Sequence, residues 1–139
     1  MDRRFEVTDH TADIGVTAWG KDLADLMANA ACGMLSLIVE PQTVNSTLTR
    51  KIELEEPDEV TLLVGWLNTL LYELDVNRLL FREFDIVMSG ETRLSAVCRG
   101  EKFDPDKHRL IREVKAATYH NLDITMVKGI YSAAIIFDI

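Results

Sequence analysis

The chain has 139 residues, 47% of them hydrophobic and 27% charged, and its 23 acidic and 15 basic residues give a formal charge of −8. A chain of this length buries roughly two thirds of the surface of its unfolded state, so it needs no disulfide or structural metal to fold. The acidic balance argues against tight binding to duplex nucleic acid. We expect one soluble domain covering residues 1–139.

The sequence also limits the cellular compartment. Its first 15 residues, MDRRFEVTDHTADIG, contain no apolar core of a secretory signal. The nearly uncharged stretch at residues 62–71 falls well short of the roughly 20 residues that a membrane span needs. Cys32 and Cys98 have no Cys or His at metal-ligand spacing nearby. We therefore expect a cytoplasmic protein with no membrane span, disulfide framework or zinc ribbon.

The first half of the chain predicts strands and two helices. Alternating apolar residues predict strands at residues 5–8 and 14–19. From residue 22, apolar residues recur every three or four positions and predict a helix that ends near Pro41. Residues 47–55 alternate again as a strand, and Asp58 is the expected N-cap of a second helix.

The second half predicts mostly strands. A hairpin is expected at residues 80–88 and 92–99, then a polar loop at residues 100–109 that includes a solvated segment at 103–108. The last three predicted strands cover residues 111–119, 122–127 and 130–138. They are too close in sequence for helical crossovers, which favours an α+β, two-layer sandwich with two main helices and a mostly antiparallel or mixed sheet.

Three polar clusters adjoin the predicted strands: residues 9–13 (DHTAD), 114–120 (VKAATYH) and 137–139 (FDI). Taken alone, Asp13 has an ordinary role as a turn cap, and Asp138 as the end of the last strand. Histidines such as His10 and His120 are more often hydrogen-bonded turn residues than proton carriers. Trp19 and Trp66 are expected to fill the core.

These clusters together resemble the archease family from one end of the chain to the other. The resemblance is carried by HTADIG at residues 10–15, GE at 100–101, VKAATYH at 114–120 and FDI at 137–139. Tyr131 departs from the family, where tryptophan is often expected. The resemblance implies a non-enzymatic α+β accessory protein of a GTP-dependent, RtcB-type RNA ligase, which joins tRNA halves after intron removal. Such a protein promotes transfer of a guanylyl group from GTP to the ligase's active-site histidine, so that the ligase turns over repeatedly.

The resemblance also implies a metal site at Asp13, Asp138 and the terminal residue Ile139, with Lys115 as the functionally important lysine. Three clustered negative groups are costly unless a cation or a lysine neutralises them. Calcium is favoured because it tolerates irregular oxygen geometry, and magnesium or manganese would also serve. If His10 joined the site, softer metals would become more plausible.

The role of Lys115 stays open between a structural counter-ion and a cation offered to phosphate. The chain has no G-x-x-x-x-G-K-[ST] or G-x-G-x-x-G motif, so GTP and tRNA are expected to be engaged through the ligase. His10 and His120 are weaker candidates for partner activation.

Two other functions remain open. The first is a chaperone or specificity modulator of a tRNA-modifying methyltransferase, a role also associated with the archease family. The second is a small metal-dependent phosphohydrolase that would use Asp13 and Asp138. One acidic cluster, with no loop that binds nucleotide phosphates, would however offer few contacts to hold a substrate.

Overall fold

The structure, a computed structural model, describes residues 4–9 and 13–139. Within these ranges the elements follow in the order β1 (Phe5–Asp9), β2 (Asp13–Gly20), α1 (Leu23–Ile38), β3 (Leu48–Glu55), α2 (Glu59–Asn77), β4 (Leu79–Ser89), β5 (Arg93–Lys102), β6 (Ala116–Ala117), β7 (Ile124–Val127) and β8 (Ile130–Asp138). A short 3-10 helix at Pro41–Thr43 separates α1 from β3.

The strands form two sheets. The first has the order β1-β2-β8-β6, with β7 also paired to β8, and the second has the order β3-β5-β4. Every one of these strand pairs is antiparallel. Helix α1 packs against β2 of the first sheet and β4 of the second. The predicted α+β sandwich with two helices is therefore confirmed, and its strands are divided between two sheets.

Both helices begin at aspartate caps. The Asp22 carboxylate accepts a hydrogen bond from the Asp25 N–H, and the Asp58 carboxylate accepts one from the Thr61 N–H, each at 2.8 Å. These caps satisfy backbone donors that have no partner inside the helix. Helix α2 ends at Arg78, which adopts a left-handed conformation with φ 58°.

The core joins the helices to both sheets. Trp66 is fully buried, and its indole N–H donates to the Met27 carbonyl at 3.0 Å. Its ring also meets Phe84 of β4 edge-on, with 5.6 Å between ring centroids. The predicted core role of Trp66 is confirmed, whereas Trp19 is only partly buried. Among the described residues, no helix has both the length and the apolar character needed to cross a membrane.

The predicted loop at residues 100–109 is partly wrong, because β5 continues through Lys102. Gly100 lies inside this strand, where a Cβ atom would overlap the Leu80 carbonyl oxygen of β4. The pairing register of β4 and β5 shifts between Phe81 and Glu83, next to this close approach. A glycine in the middle of a strand therefore marks tight strand packing here, not a turn.

The predicted strand at residues 111–119 is also mostly wrong, since only Ala116–Ala117 pairs as a strand. The residues before it attach to a helix end: Leu110 bridges to Val39, and the Ile111 N–H donates to the Ile38 carbonyl at 2.7 Å. The alternating apolar residues therefore indicate an extended segment here, but the backbone at its start is hydrogen-bonded to the end of α1 and not to a neighbouring strand.

Candidate functional site

The two aspartates of the predicted metal site lie directly opposite each other. The register of β2 and β8 pairs Asp13 with Asp138, and the next pair, Ile14 with Phe137, is buried in the core. Because side chains alternate along a strand, both aspartates project from the outer face of the first sheet. Like charges in directly opposed positions destabilise a sheet. The residues present therefore fit a cation, which would offset this repulsion.

Lys115 and Ile139 lie at the same end of the sheet. The Lys115 N–H donates to the Asp138 carbonyl at 2.8 Å, and Ala116 pairs with Asp138 in the ladder. This backbone contact leaves the Lys115 side chain exposed. Ile139 follows Asp138 directly and packs partly against the core. The fold thus brings together Asp13, Asp138, Ile139 and Lys115 from three separate segments of the chain.

Asn68 on α2 holds the Lys115 segment in place, although it belongs to none of the sequence motifs that predict the site. Its side-chain amide donates to the Ala117 carbonyl at 3.2 Å, and its carbonyl accepts the Ala117 N–H at 2.8 Å. The side chain therefore replaces a strand partner along one edge of the two-residue strand β6. Its signal in the sequence is a single amide between Leu67 and Leu70, in an otherwise apolar stretch.

Of the two predicted site histidines, His10 lies outside the described residues. His120 is exposed, and its backbone N–H donates to the Thr118 hydroxyl at 3.3 Å. Strand β6 runs antiparallel to β8, and Thr118 already bonds to Ile136, so residue 120 continues away from Asp138. The described backbone contact of His120 is that of a turn residue, and its part in partner activation stays a prediction.

The possible ligands are few. Residues 4–9 and 13–139 contain no cluster of three His, Cys, Asp or Glu side chains arranged to hold a metal ion. The predicted set supplies two such side chains, Asp13 and Asp138, and its third donor is the carboxylate of Ile139. These are hard oxygen donors, the kind that calcium and magnesium bind.

A second polar cluster surrounds Glu101. Its carboxylate accepts hydrogen bonds from Lys107 Nζ at 2.8 Å, the Asn45 N–H at 2.6 Å and His108 Nε2 at 2.9 Å. The Lys107 and Asn45 bonds, followed by the His108 bond, lower the pKa of Glu101 to about 2. His108 Nδ1 accepts the Asp104 N–H at 2.9 Å, so the ring proton lies on Nε2 and points at Glu101.

This cluster corrects part of the prediction of a solvated loop at residues 103–108: residues 104–107 are exposed as predicted, whereas His108 is buried. His108 is only 2% exposed, and its ring stacks on Phe103 with 6.0 Å between centroids. The GE pair at residues 100–101 therefore has a structural explanation. Gly100 allows the close approach of β4, and Glu101 ties the following loop to Asn45.

Comparison with known proteins agrees with this fold. The model of the Archease protein family (MTH1598/TM1083) matches residues 5–139. The chain belongs to the archease family. It is 36% identical to the protein archease of Methanosarcina barkeri, over 99% of this chain and 97% of that one. It is 35% identical to the protein archease of Pyrococcus abyssi, over 99% of each chain.

Solved structures show the same architecture. The solution structure of Methanobacterium thermoautotrophicum protein 1598 superposes with a TM-score of 0.85 at 33% identity, covering 97% of this chain and 98% of that one. A crystal structure from Thermotoga maritima, described as an archease and possible chaperone, superposes with a TM-score of 0.64 at 18% identity over the full length of both chains. At that identity the second likeness concerns the fold alone.

Proposed function

We propose that this protein activates an RtcB-type RNA ligase in tRNA splicing by promoting guanylylation of the ligase and its repeated turnover. The observation that carries the proposal is the opposed, outward-facing pair Asp13 and Asp138 with Lys115 bonded beside it. Membership of the archease family supports the assignment to a ligase accessory role.

The position of these residues favours action on another protein. The aspartates project from the outer face of a sheet, and Asp138 and Lys115 are both exposed. An enzyme that binds its own small substrate usually encloses it in a concave site. Groups on an open sheet end are instead suited to completing a site on a partner.

The charges at this end suit nucleotidyl transfer from GTP. A divalent cation held by Asp13, Asp138 and the Ile139 carboxylate would supply positive charge for phosphate oxygens. Calcium is our first candidate because it accepts irregular oxygen geometry, with magnesium or manganese as alternatives. The Lys115 ammonium is a compact point charge that can meet a phosphate oxygen directly.

The test is guanylylation of a purified RtcB-type ligase by labelled GTP, with and without this protein. The wild-type protein should accelerate labelling and support multiple rounds of ligation. Lys115→Ala should fold normally, because its bond to Asp138 is made by the backbone, and should lose the stimulation. Lys102→Ala, also exposed and at the end of β5, is the matched control and should stimulate like wild type.

Two further results decide whether Lys115 acts in guanylylation. Single-round sealing by ligase already charged with GMP should not depend on Lys115, because the proposed step precedes sealing. If Lys115→Ala accelerates guanylylation as well as wild type, the lysine is only a structural counter-ion.

A second candidate is the chaperone role that the archease resemblance also implies; the Thermotoga maritima archease is itself described as a possible chaperone. A tRNA-modifying methyltransferase would be the client. Protection of a purified methyltransferase from aggregation, together with no effect on ligase guanylylation, would favour this role. Turnover of GTP by the pure protein with a divalent ion, and without ligase, would instead indicate a phosphohydrolase.

A further inference from the structure

Residues 109–115, referred to here as the connector, lead from the His108 loop to β6 without forming a regular strand. Hydrogen bonds nevertheless fix this segment along its length. The Ile111 N–H donates to the Ile38 carbonyl, Arg112 Nη1 donates to the Leu37 carbonyl, and Lys115 is bonded to Asp138. The connector is therefore ordered before any partner binds, which reduces the entropy cost of binding.

The middle of the connector exposes two large aliphatic side chains. Leu110 is 46% exposed and Ile111 is 48% exposed. Depressions flank them: Leu110 lines both a cavity of about 550 Å³ with Arg109 and Ile111, and a cavity of about 580 Å³ with Arg112 and Val114. The connector therefore stands as an apolar ridge between two hollows.

The connector also carries charge of the opposite sign to the chain as a whole. Its sequence, RLIREVK, contains three basic residues and one acidic residue, while the chain carries a formal charge of −8. Arg109 and Lys115 are exposed at the two ends of the connector. The nearby exposed acidic residues are Glu113 within the connector, Glu40 in the first hollow and Asp75 in the second. The connector itself keeps a net positive charge around its apolar centre, which complements carboxylates around an apolar groove.

We propose that the connector is a docking surface for a protein partner that presents an apolar groove rimmed by carboxylates. Resting on the proposed function, we assign this partner as the ligase. Single-stranded RNA is disfavoured because its bases stack on aromatic side chains, whereas the centre of the ridge is aliphatic. The connector ends at Lys115, so a partner seated on the ridge would lie against Asp13 and Asp138. The connector provides the affinity, and the aspartate pair with Lys115 provides the stimulation.

The test uses variants that separate affinity from stimulation. The double variant Leu110→Ser/Ile111→Ser should weaken binding to a purified RtcB-type ligase about tenfold or more, as expected for an apolar centre of an interface. The concentration that gives half-maximal guanylylation should rise by the same factor, with full stimulation recovered at saturation. Arg109→Glu should slow association, most strongly at low salt. Asp13→Asn should bind like wild type and fail to stimulate even at saturation.

Two controls match these changes. Val87→Ser removes a side chain that is 67% exposed on β4, and Lys128→Glu reverses an exposed charge in the turn before β8. Both should bind and stimulate like wild type. If Leu110→Ser/Ile111→Ser fails to fold, Arg109→Glu still tests the surface, because Arg109 is exposed and its replacement removes no buried contact.

Each outcome separates the two proposals. If the wild type binds and stimulates the ligase and all connector variants do the same, the connector assignment is wrong and the proposed function stands. If the wild type neither binds nor stimulates the ligase, the proposed function is wrong, and the assignment of the connector to the ligase is wrong with it.

Two other results would identify a different occupant of the connector. Loss of labelled single-stranded RNA binding in Arg109→Glu, with ligase binding intact, would make the connector an RNA surface. Self-association abolished by Leu110→Ser/Ile111→Ser would make the occupant a second copy of the chain.

Discussion

Asp13 and Asp138 face each other across the antiparallel pair β2 and β8, although one lies near the start of the chain and the other near its end. Directly opposed carboxylates repel each other, so the sheet is locally less stable at this pair than it would be with a neutral residue. This repulsion connects metal binding to stability, because an ion that offsets the repulsion binds the folded chain and stabilises it.

The first prediction is that Asp13→Asn removes metal-dependent stabilisation. Without metal its melting temperature should be unchanged or slightly higher than that of wild type, because surface substitutions change stability by about 0.5 kcal/mol or less and the repulsion is removed. Thermal unfolding with a chelator and with added calcium measures both effects. Glu91→Gln, in the exposed turn after β4, is the control and should retain the calcium-dependent rise.

A separate experiment tests the third proposed ligand, the Ile139 carboxylate. Extending the chain beyond Ile139 removes its carboxylate while leaving both aspartates in place. Calorimetry should show weaker calcium binding to the extended chain. Equal affinities would show that the Ile139 carboxylate does not bind the ion.

The second prediction concerns Asn68, whose amide bonds to both backbone groups of Ala117. Asn68→Ala leaves these groups without their partner and should lower the free energy of unfolding by about 1–3 kcal/mol. It should also reduce ligase stimulation, because β6 positions Lys115. Chemical denaturation measures the first effect and guanylylation the second. The control Tyr72→Ala, which removes an exposed side chain from the same helix, should change neither substantially; full stimulation by folded Asn68→Ala would rule out the positioning role.

The third prediction is a pH dependence at Glu101. Its pKa is lowered from the usual 4.5 to about 2, so its bonds stabilise the folded state fully above pH 4.5. That contribution is lost as pH falls from 4.5 towards 2, because the folded state then takes up a proton at a lower pH than the unfolded state. Glu101→Gln should therefore be less stable than wild type at neutral pH by about 1–3 kcal/mol, with the difference shrinking in acid.

Unfolding curves of both proteins at several pH values between neutral and 3 provide the measurement. Glu53→Gln is the control, since Glu53 pairs with Lys51 on the surface with both side chains about two-thirds exposed, and such pairs contribute little. A difference between wild type and Glu101→Gln that does not vary with pH would contradict the proposed charge network.

The fourth prediction compares two glycines. Gly100→Ala places a Cβ atom against the Leu80 carbonyl of the neighbouring strand, so it should destabilise the protein severely or prevent folding. Gly65→Ala, inside α2, meets only ordinary contacts with Glu56 and should stabilise the protein by about 0.5–1 kcal/mol. Melting temperatures of the two variants should therefore move in opposite directions. Equal effects would show that the close approach at Gly100 can relax.

The helices and long strands could be predicted because each has a local signal. The apolar stripe of α1 and the alternation in β8 reflect burial on one face, and the cap at Asp58 reflects a hydrogen bond to a free backbone N–H three residues later. The extent of β5 could not, because Gly100 looks like a turn residue unless the neighbouring strand is known. The connector could not be predicted for a similar reason, since its backbone partner is the end of α1.

The candidate site shows the same division. Family motifs identified Asp13, Lys115 and Asp138, and the strand register brings these three together. Asn68 was missed because its partner is a backbone group distant in sequence. The Glu101 network was missed because its contact with the Asn45 N–H is equally distant, and because Lys107 and His108 lie in a segment that the sequence predicts as a solvated loop. A single amide side chain in an apolar helix does not indicate a functional site unless the position of the strand that it hydrogen-bonds is known.

The placement of β8 has a consequence for how the protein is made. This strand is the last in chain order among the described elements, yet it lies between β2 and the strands β6 and β7. During synthesis β2 can pair with β1 early, but its second partner, β8, leaves the ribosome after the other described strands, and such distant pairings form slowly. A chain interrupted before β8 would lack Asp138 and the strand on which Lys115 rests. Incomplete translation products would thus lack the aspartate pair on which the proposed stimulation depends.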